Sequence, residues 1–310
     1  YLASVPSRLE QMRAALQGEM PCITIGPHCK SPYPCDFSGH CWAHIPSPSV
    51  FDFERIGKKG YELYQQGFLK LEDVPPDRLN TRQLMQQQTW INKTKFVDIE
   101  TVKVFLSSLS LPLYFVDFET VSTAIPLFDN VRPYQQVPFQ FSVHIIERWD
   151  MPPVHKEYLA TGVVGPQRKF VETLLSVIPD GVHVVVWNKA FEKTRLLELA
   201  ELFPEYRERL VKISASLCDL MEPFRRRDIY HWQFQGSYSI KKVLPVLVPE
   251  LSYDDLGIQN GEVASREWLR VLSTTDNEEQ QRVHNQLRAY CQLDTYAMVR
   301  IFQTLIDATR

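Results

Sequence analysis

The sequence predicts an α/β protein: a mixed sheet flanked by helices, preceded by a small cysteine-rich and helical region. Three observations carry this expectation. Strand-like apolar stretches cluster between residues 113 and 188. Helical apolar patterns take over after them. Four of the six cysteines fall before residue 42, in a stretch without a regular period.

In chain order, residues 1–50 read as loop-rich and hold Cys22, Cys29, Cys35 and Cys41. Residues 51–79 read as a short helix, a turn at Gly67 and a further short element stopped by Pro75 and Pro76. Residues 80–110 are rich in glutamine, then helical in DIETVKVFLSSL, so 51–110 is a helical connector. Strands follow at 113–119, 139–147 and 155–160, then a helix in PQRKFVETLLSVI, a strand at 182–188, and mainly helices. The expected regions are therefore 1–50, 51–110 and 111–310.

A chain of 310 residues can bury one large core or two modest ones. The net charge of −3 supplies no global field attracting nucleic acid, so a site for it has to be local. No run approaches the roughly 18 apolar residues of a membrane span. The opening YLASVPSRLEQM has neither an initiator Met nor a secretory pattern, and reads as part of a longer chain with domains upstream. With Cys218 and Cys291 standing alone, this favours a reducing cytoplasm.

Four clustered cysteines can be two disulfides, a zinc site, an iron–sulfur cluster or free thiols. A reducing compartment favours metal. The gaps of six, five and five residues are wider than the paired cysteines of zinc ribbons. Pro, Gly and His fill the loop, as expected of backbone wrapped round a ligand, and His28 or His40 is an alternative ligand to a cysteine.

LYFVDFET, residues 113–120, reads as a strand buried on both faces. Side chains alternate along a strand, so Asp117 and Glu119 point the same way. Two like charges beside a core are costly unless they reach water or hold a divalent ion, which takes carboxylate oxygens and lowers their pKa. VHVVVWNKAFEKTRLLELAELF is a strand running into a helix whose Leu196, Leu199, Ala200 and Phe203 form one apolar face. Asn188 and Glu192 lie at the junction, where Asn188 can cap the helix and Glu192 can favour its positive end. In the last helix, Leu287, Cys291, Asp294, Met298, Ile301 and Leu305 are spaced 4, 3, 4, 3, 4, a single stripe with an aspartate in its middle. A buried carboxylate needs a partner, either a cation from Arg or Lys or a metal. Tyr290 lies one turn before it.

Taken together, VDFET, VVVWNKAFEKTRL and YCQLD, in that order and in those strand and helix contexts, resemble the DnaQ-like (DEDD) 3′–5′ exonucleases of the RNase H-like superfamily, tyrosine subclass. The resemblance covers residues 111–310, and the strand and helix order fits an RNase H-like sheet. Glu192 stands where Asp is usual. More narrowly, RPYQQVPFQFSVH and GSYSIKKVLPVLVPELSYDDL resemble an uncharacterised bacterial family in which such a domain follows a cysteine-bearing, RecB-like nuclease part. The resemblance implies two Mg²⁺ or Mn²⁺ ions held by Asp117, Glu119, Glu192 and Asp294, with Tyr290 orienting the attacking water. It also implies that Cys22, Cys29, Cys35 and Cys41 belong to the tail of a RecB-like part and hold a 4Fe-4S cluster or Zn²⁺. The substrate would be single-stranded DNA or RNA ends.

A phosphate-bearing substrate calls for nearby cations and aromatics. MEPFRRRDIYHWQF offers Arg225, Arg226 and Arg227 among Phe224, Tyr230, Trp232 and Phe234, either as a nucleic-acid surface or as a solvated turn. Lys241 and Lys242 are further phosphate candidates or an ordinary exposed helix face. Asp219 is an outer acid or a helix-start residue, Asp254–Asp255 reads as a solvated turn, and Gln140 is expected near the site without an assigned role. The alternative to a nuclease is a catalytically weak nucleic-acid-binding or scaffold module attached to an upstream nuclease.

Overall fold

The computed structural model describes residues 2–20, 22–162 and 165–309. The chain divides into two compact units, residues 1–91 and 92–310. The stretch expected as one connector, 51–110, is thus shared between them.

The first unit carries α1 (Val5–Gln17), α2 (Ser38–Cys41), α3 (Lys58–Gln65) and most of α4 (Thr81–Asn92). The long helix α1 departs from the loop-rich expectation; Val5, Leu9, Met12 and Leu16 recur at helical spacing, but none of its residues is buried. The small core gathers Val50, Phe53, Leu63, Leu71 and Val74. Helix α3 ends just before Gly67, whose φ of +90° is the left-handed turn that glycine allows. The glutamines of α4 have a structural use. Gln86 accepts from the Glu54 amide at 2.9 Å and donates to the Asp52 carbonyl at 2.8 Å. Gln87 donates to the carbonyls of Leu71 and Val74, each at 2.7 Å. These buried amide side chains satisfy loop backbone that has no ladder to join.

The second unit contains β1 (Lys95–Val97), α5 (Ile99–Ser107), β2 (Leu113–Val121), β3 (Val137–Ile146), β4 (Val154–Leu159), α6 (Gln167–Val177), β5 (His183–Val186) and α7 (Lys189–Leu202). There follow α8 (Arg207–Ser216), β6 (Leu217–Asp219), α9 (Glu222–Arg226), β7 (Ile229–His231), α10 (Ile240–Leu247), α11 (Gly261–Val271) and α12 (Asn277–Ala308). Five strands make a mixed sheet in the order β4-β3-β2-β5-β6, while β1 and β7 form a separate two-stranded ribbon. Strand β3 is antiparallel to β2 and β4; β5 is parallel to β2 and β6. β6 has no sequence expectation behind it, because three residues are too few to show a period.

Alternation along β2 divides the core. Tyr114, Val116 and Phe118, with Phe141, Val143 and Ile145 of β3, pack with residues of α6, α7 and α8. The opposite face of β2 carries Phe115, Asp117 and Glu119 and meets α12, with Phe115 edge-on to Phe302 at 5.6 Å. The stripe expected on α12 is buried along its whole length, from Leu287 to Leu305. Side-chain hydrogen bonds pin that helix to β3. Gln140 Nε2 donates to the Leu287 carbonyl at 2.9 Å, and Thr295 Oγ1 lies 2.7 Å from both Ser142 Oγ and His144 Nδ1. Among the described residues, no helix is long and apolar enough to cross a membrane.

Candidate active site

β5 pairs with β2 only over Leu113–Phe115, so the next residues of β2 run on past the carboxyl end of β5. Asp117 and Glu119 therefore project at the edge where the chain leaves β5 through Trp187 and Asn188 and enters α7. The carboxyl ends of parallel strands are where open α/β sheets bind ligands. Glu192 lies in the first turn of α7, and α12 crosses the same edge with Tyr290 and Asp294. All four carboxylates line one cleft of about 210 Å³, with Lys241, Tyr290, Trp187, Asn188 and Phe191 in its walls. Asn188 stands at the N-cap position of α7, its carbonyl accepting from the Phe191 amide at 2.9 Å, but its side chain makes no cap bond.

None of the four acids takes part in an ion pair among the described residues. Burial raises Asp117 well above the usual carboxylate range, with Asp294, Glu119 and Glu192 adding to it. Burial, then Asp294, pushes Glu119 up to about 8. Glu192 is also pushed up to about 8, by burial with a contribution from Asp219. Burial brings Asp294 to about 6, against the pull of a hydrogen bond from Tyr253 and the charge of Lys241. The Oε2 atom of Glu192 is buried with no hydrogen-bond partner. Crowded carboxylates carrying an orphaned acceptor fit a divalent cation, which would satisfy the free oxygen and reverse the upward shifts.

Two neighbours of Asp294 and Glu119 have no assigned role in the sequence motifs. The Tyr253 hydroxyl donates to Asp294 Oδ1 at 2.6 Å, so the partner required by the buried aspartate is a phenol rather than the Arg or Lys of a structural ion pair. The only signal in the sequence was a tyrosine beside the acidic pair Asp254–Asp255, which reads as a surface turn. The second is Gly261, at the start of α11: a Cβ there would meet Glu119 Oε2 at 3.3 Å. Lys241 is half-buried, donates to the Gln259 carbonyl at 2.6 Å, and holds its ammonium 5.3 Å from the Tyr290 ring centre and 5.5 Å from that of Tyr253. Lys242 is exposed and is not among the residues lining the cleft.

The arginine segment is arranged for packing. Arg227, expected to neutralise phosphate, is buried, with its guanidinium 4.4 Å over Tyr230 and donating to the Gly236 carbonyl at 2.9 Å. Phe224, Tyr230 and Phe234 are buried too, so they cannot act as stacking platforms for bases. The physical reason is composition: this segment buries more aromatic area than a solvated turn can, and Arg227 covers part of it. Arg226 pairs with Asp228 at 2.7 Å and Glu222 at 3.4 Å, and Arg225 lies 3.6 Å from Asp219. Asp219 ends β6 and accepts from the Met221 amide at 3.1 Å; its carboxyl sits close enough to Glu192 to raise it.

Cys22, Cys29, Cys35 and Cys41 are free thiols. Local turns bring part of the loop together, the Cys35 amide donating to the Cys29 carbonyl at 3.0 Å. Their sulfurs do not form a group of close donors. Among the described residues, the group of three or more potential ligands whose donor atoms all lie within 4.8 Å of one another is Asp117, Glu119 and Cys291.

Residues 114–239 match a family model described as a domain of unknown function, DUF2779. That span includes Asp117, Glu119 and Glu192 and stops before Lys241, Tyr290 and Asp294. The chain is similar to an uncharacterised protein of Mycoplasma genitalium, MG366, at 29 % identity over 239 residues, 71 % of this chain and 36 % of the relative. It is 28 % identical to the Mycoplasma pneumoniae homolog over 260 residues, 78 % of this chain and 39 % of that protein. An uncharacterised protein of Ureaplasma parvum, UU173, is 32 % identical over 255 residues, 72 % of this chain and 36 % of its own length. The chain thus spans 36–39 % of the length of these curated relatives. No solved structure matches.

Proposed function

We propose that residues 92–310 form a metal-dependent nuclease of the DnaQ-like, RNase H-like kind, acting on single-stranded ends. The observation that carries this reading is the meeting of Asp117, Glu119, Glu192 and Asp294, from three separate elements, in one cleft with no ion-pairing cation. The sheet order, with the second of five strands antiparallel to the rest, supports the fold assignment. The four carboxylates would hold the ions, and two Mg²⁺ or Mn²⁺ bound there would supply water activation and stabilise the leaving oxygen's charge. The Tyr290 hydroxyl, one turn from Asp294, would orient the attacking water. The Lys241 ammonium, fixed across the cleft, would face a non-bridging phosphate oxygen. Phe191, half-buried in the cleft wall, would offer apolar surface to a base.

The test is cleavage of end-labelled single-stranded DNA and RNA in Mg²⁺ or Mn²⁺. We expect metal-dependent shortening from one end and a loss of at least about 100-fold in Asp117→Ala, since removing even an outer partner of a metal ligand costs about 10–100-fold. Binding without metal-dependent cleavage would support the alternative of a catalytically weak nucleic-acid-binding or scaffold module. We likewise propose, on the cysteine pattern of residues 22–41, a 4Fe-4S cluster or zinc at Cys22, Cys29, Cys35 and Cys41; iron, sulfide and zinc analysis of anaerobically purified protein decides between them.

A further inference from the structure

We propose that Asp117, Glu119 and Cys291 form a mixed carboxylate–thiolate tripod that takes zinc or a similarly thiophilic divalent ion, and that its occupancy blocks hydrolysis at the cleft. The binding half stands by itself; the blocking half rests on the nuclease reading. The donor atoms of the three side chains already lie within 4.8 Å of one another. Cys291 is fully buried, and its sulfur sits 3.9 Å from the Asp117 carbonyl oxygen, so β2 fixes its position. It follows Tyr290 and precedes Asp294 by three residues, which puts sulfur and carboxylate on the same side of α12. The unpartnered, buried Oε2 of Glu192 in the same cleft is an independent sign that a cation belongs there.

Ligand softness separates two modes of occupancy. Mg²⁺ takes oxygen ligands and has no use for a thiol. Zinc accepts sulfur at roughly 2.3 Å and carboxylate oxygen at roughly 2.0–2.2 Å in four-coordinate sites. Three protein donors and one water complete such a site, and the thiol gives its proton to solvent as the Zn–S bond forms. A zinc ion so held occupies both acids of β2, which the pair of hard ions also needs. The two modes exclude one another.

The experiment counts zinc bound by the full chain in equilibrium dialysis, for wild type, Cys291→Ser and, as a control at a cysteine outside both proposed centres, Cys218→Ser. We expect Cys291→Ser to lose one equivalent, or to bind it at least about 10-fold more weakly, while Cys218→Ser keeps the wild-type count. Cobalt substitution gives a readout that retains the thiol: the sulfur-to-cobalt charge-transfer band should fall in Asp117→Asn as well as in Cys291→Ser. In the cleavage assay, the zinc needed for half-inhibition, relative to each variant's own rate in Mn²⁺, should rise at least about 10-fold in Cys291→Ser. Equal zinc affinity in wild type and Cys291→Ser, or a cobalt band unchanged in both variants, overturns the tripod. A wild type that cleaves nothing in Mg²⁺ or Mn²⁺ overturns the nuclease reading instead, and the zinc count still decides the tripod.

Discussion

Tyr253 donates to Oδ1 of Asp294 at 2.6 Å, while Tyr290, one turn before Asp294 on the same helix, lines the cleft. Burial and the charge of Asp294 raise both hydroxyls far above their ordinary value, which keeps them protonated donors at any working pH. Their roles should separate. Tyr253→Phe removes a hydrogen bond that fixes a proposed ligand, so Mn²⁺ affinity is expected to fall about 10–100-fold, as for other outer partners of metal ligands. Tyr290→Phe should leave Mn²⁺ affinity nearly intact and slow single-turnover cleavage about 100-fold, because it removes a group that positions the attacking water. Isothermal titration alongside single-turnover kinetics checks the pair. Equal metal affinity in Tyr253→Phe and wild type would remove Tyr253 from the site.

At the scale of elements, the cleft depends on where β2, α11 and α12 meet. The register of β2 against β3 shifts between Glu119 and Thr120, so the ladder is regular up to the second acid and irregular just beyond it. Helix α11 begins at Gly261, close against Glu119 Oε2. Asn260 caps it, accepting from the Val263 amide at 2.9 Å. Gly261→Ala tests this approach. Removing glycine from a helix can add up to about 1 kcal/mol, so the melting temperature should hold or rise. The new methyl group must push Glu119 aside, so Mn²⁺ affinity should fall. If the Gly261→Ala variant binds Mn²⁺ as tightly as wild type, Glu119 is free to move and is not held by α11.

The whole molecule should register these burials as a pH dependence. Glu119 and Glu192 have an ordinary value of 4.5 and are pushed up to about 8 in the metal-free fold. A raised carboxylate favours folding in its protonated form. That contribution is present below the unfolded value and is lost as pH rises through the folded one. His144 runs the other way: burial, then His155, pulls it from 6.5 to about 4, so its contribution is present above 6.5 and is lost as pH falls. Burial lowers His155, His231 and His284 in the same sense, and unfolded histidines go on losing protons to about one unit above 6.5, so the carboxylates set the slope only from about pH 7.5. The metal-free protein should melt at lower temperature as pH rises from about 7.5 to about 8.5. Mn²⁺ binds the ionised acids, so the increase it gives in melting temperature should grow over the same interval. Scanning calorimetry with and without Mn²⁺ checks both slopes; a metal-free melting temperature that rises between about pH 7.5 and about pH 8.5 would mean the acids are not held protonated by the fold.

Periodicity made the sheet and the last helix legible. The two-residue period put Asp117 and Glu119 on one face of β2, and the 4, 3, 4, 3, 4 stripe made Asp294 a buried acid before any fold was known. Both signals are local, set by backbone geometry that each segment carries with it. What covers those acids is not local. The phenol that meets Asp294 comes from residue 253, the glycine against Glu119 from residue 261, and the thiol beside both acids from a helix 174 residues downstream of Asp117. Arg227 shows the same limit in reverse: an arginine among aromatics reads equally as a phosphate ligand or as a packed side chain, and only its burial over Tyr230 decides. The sequence by itself determined the mixed α/β class and the carboxylates that need a counter-charge. Tertiary structure decided their partners, because a side chain's hydrogen bonds and field depend on groups brought near by chain crossings that no local period encodes.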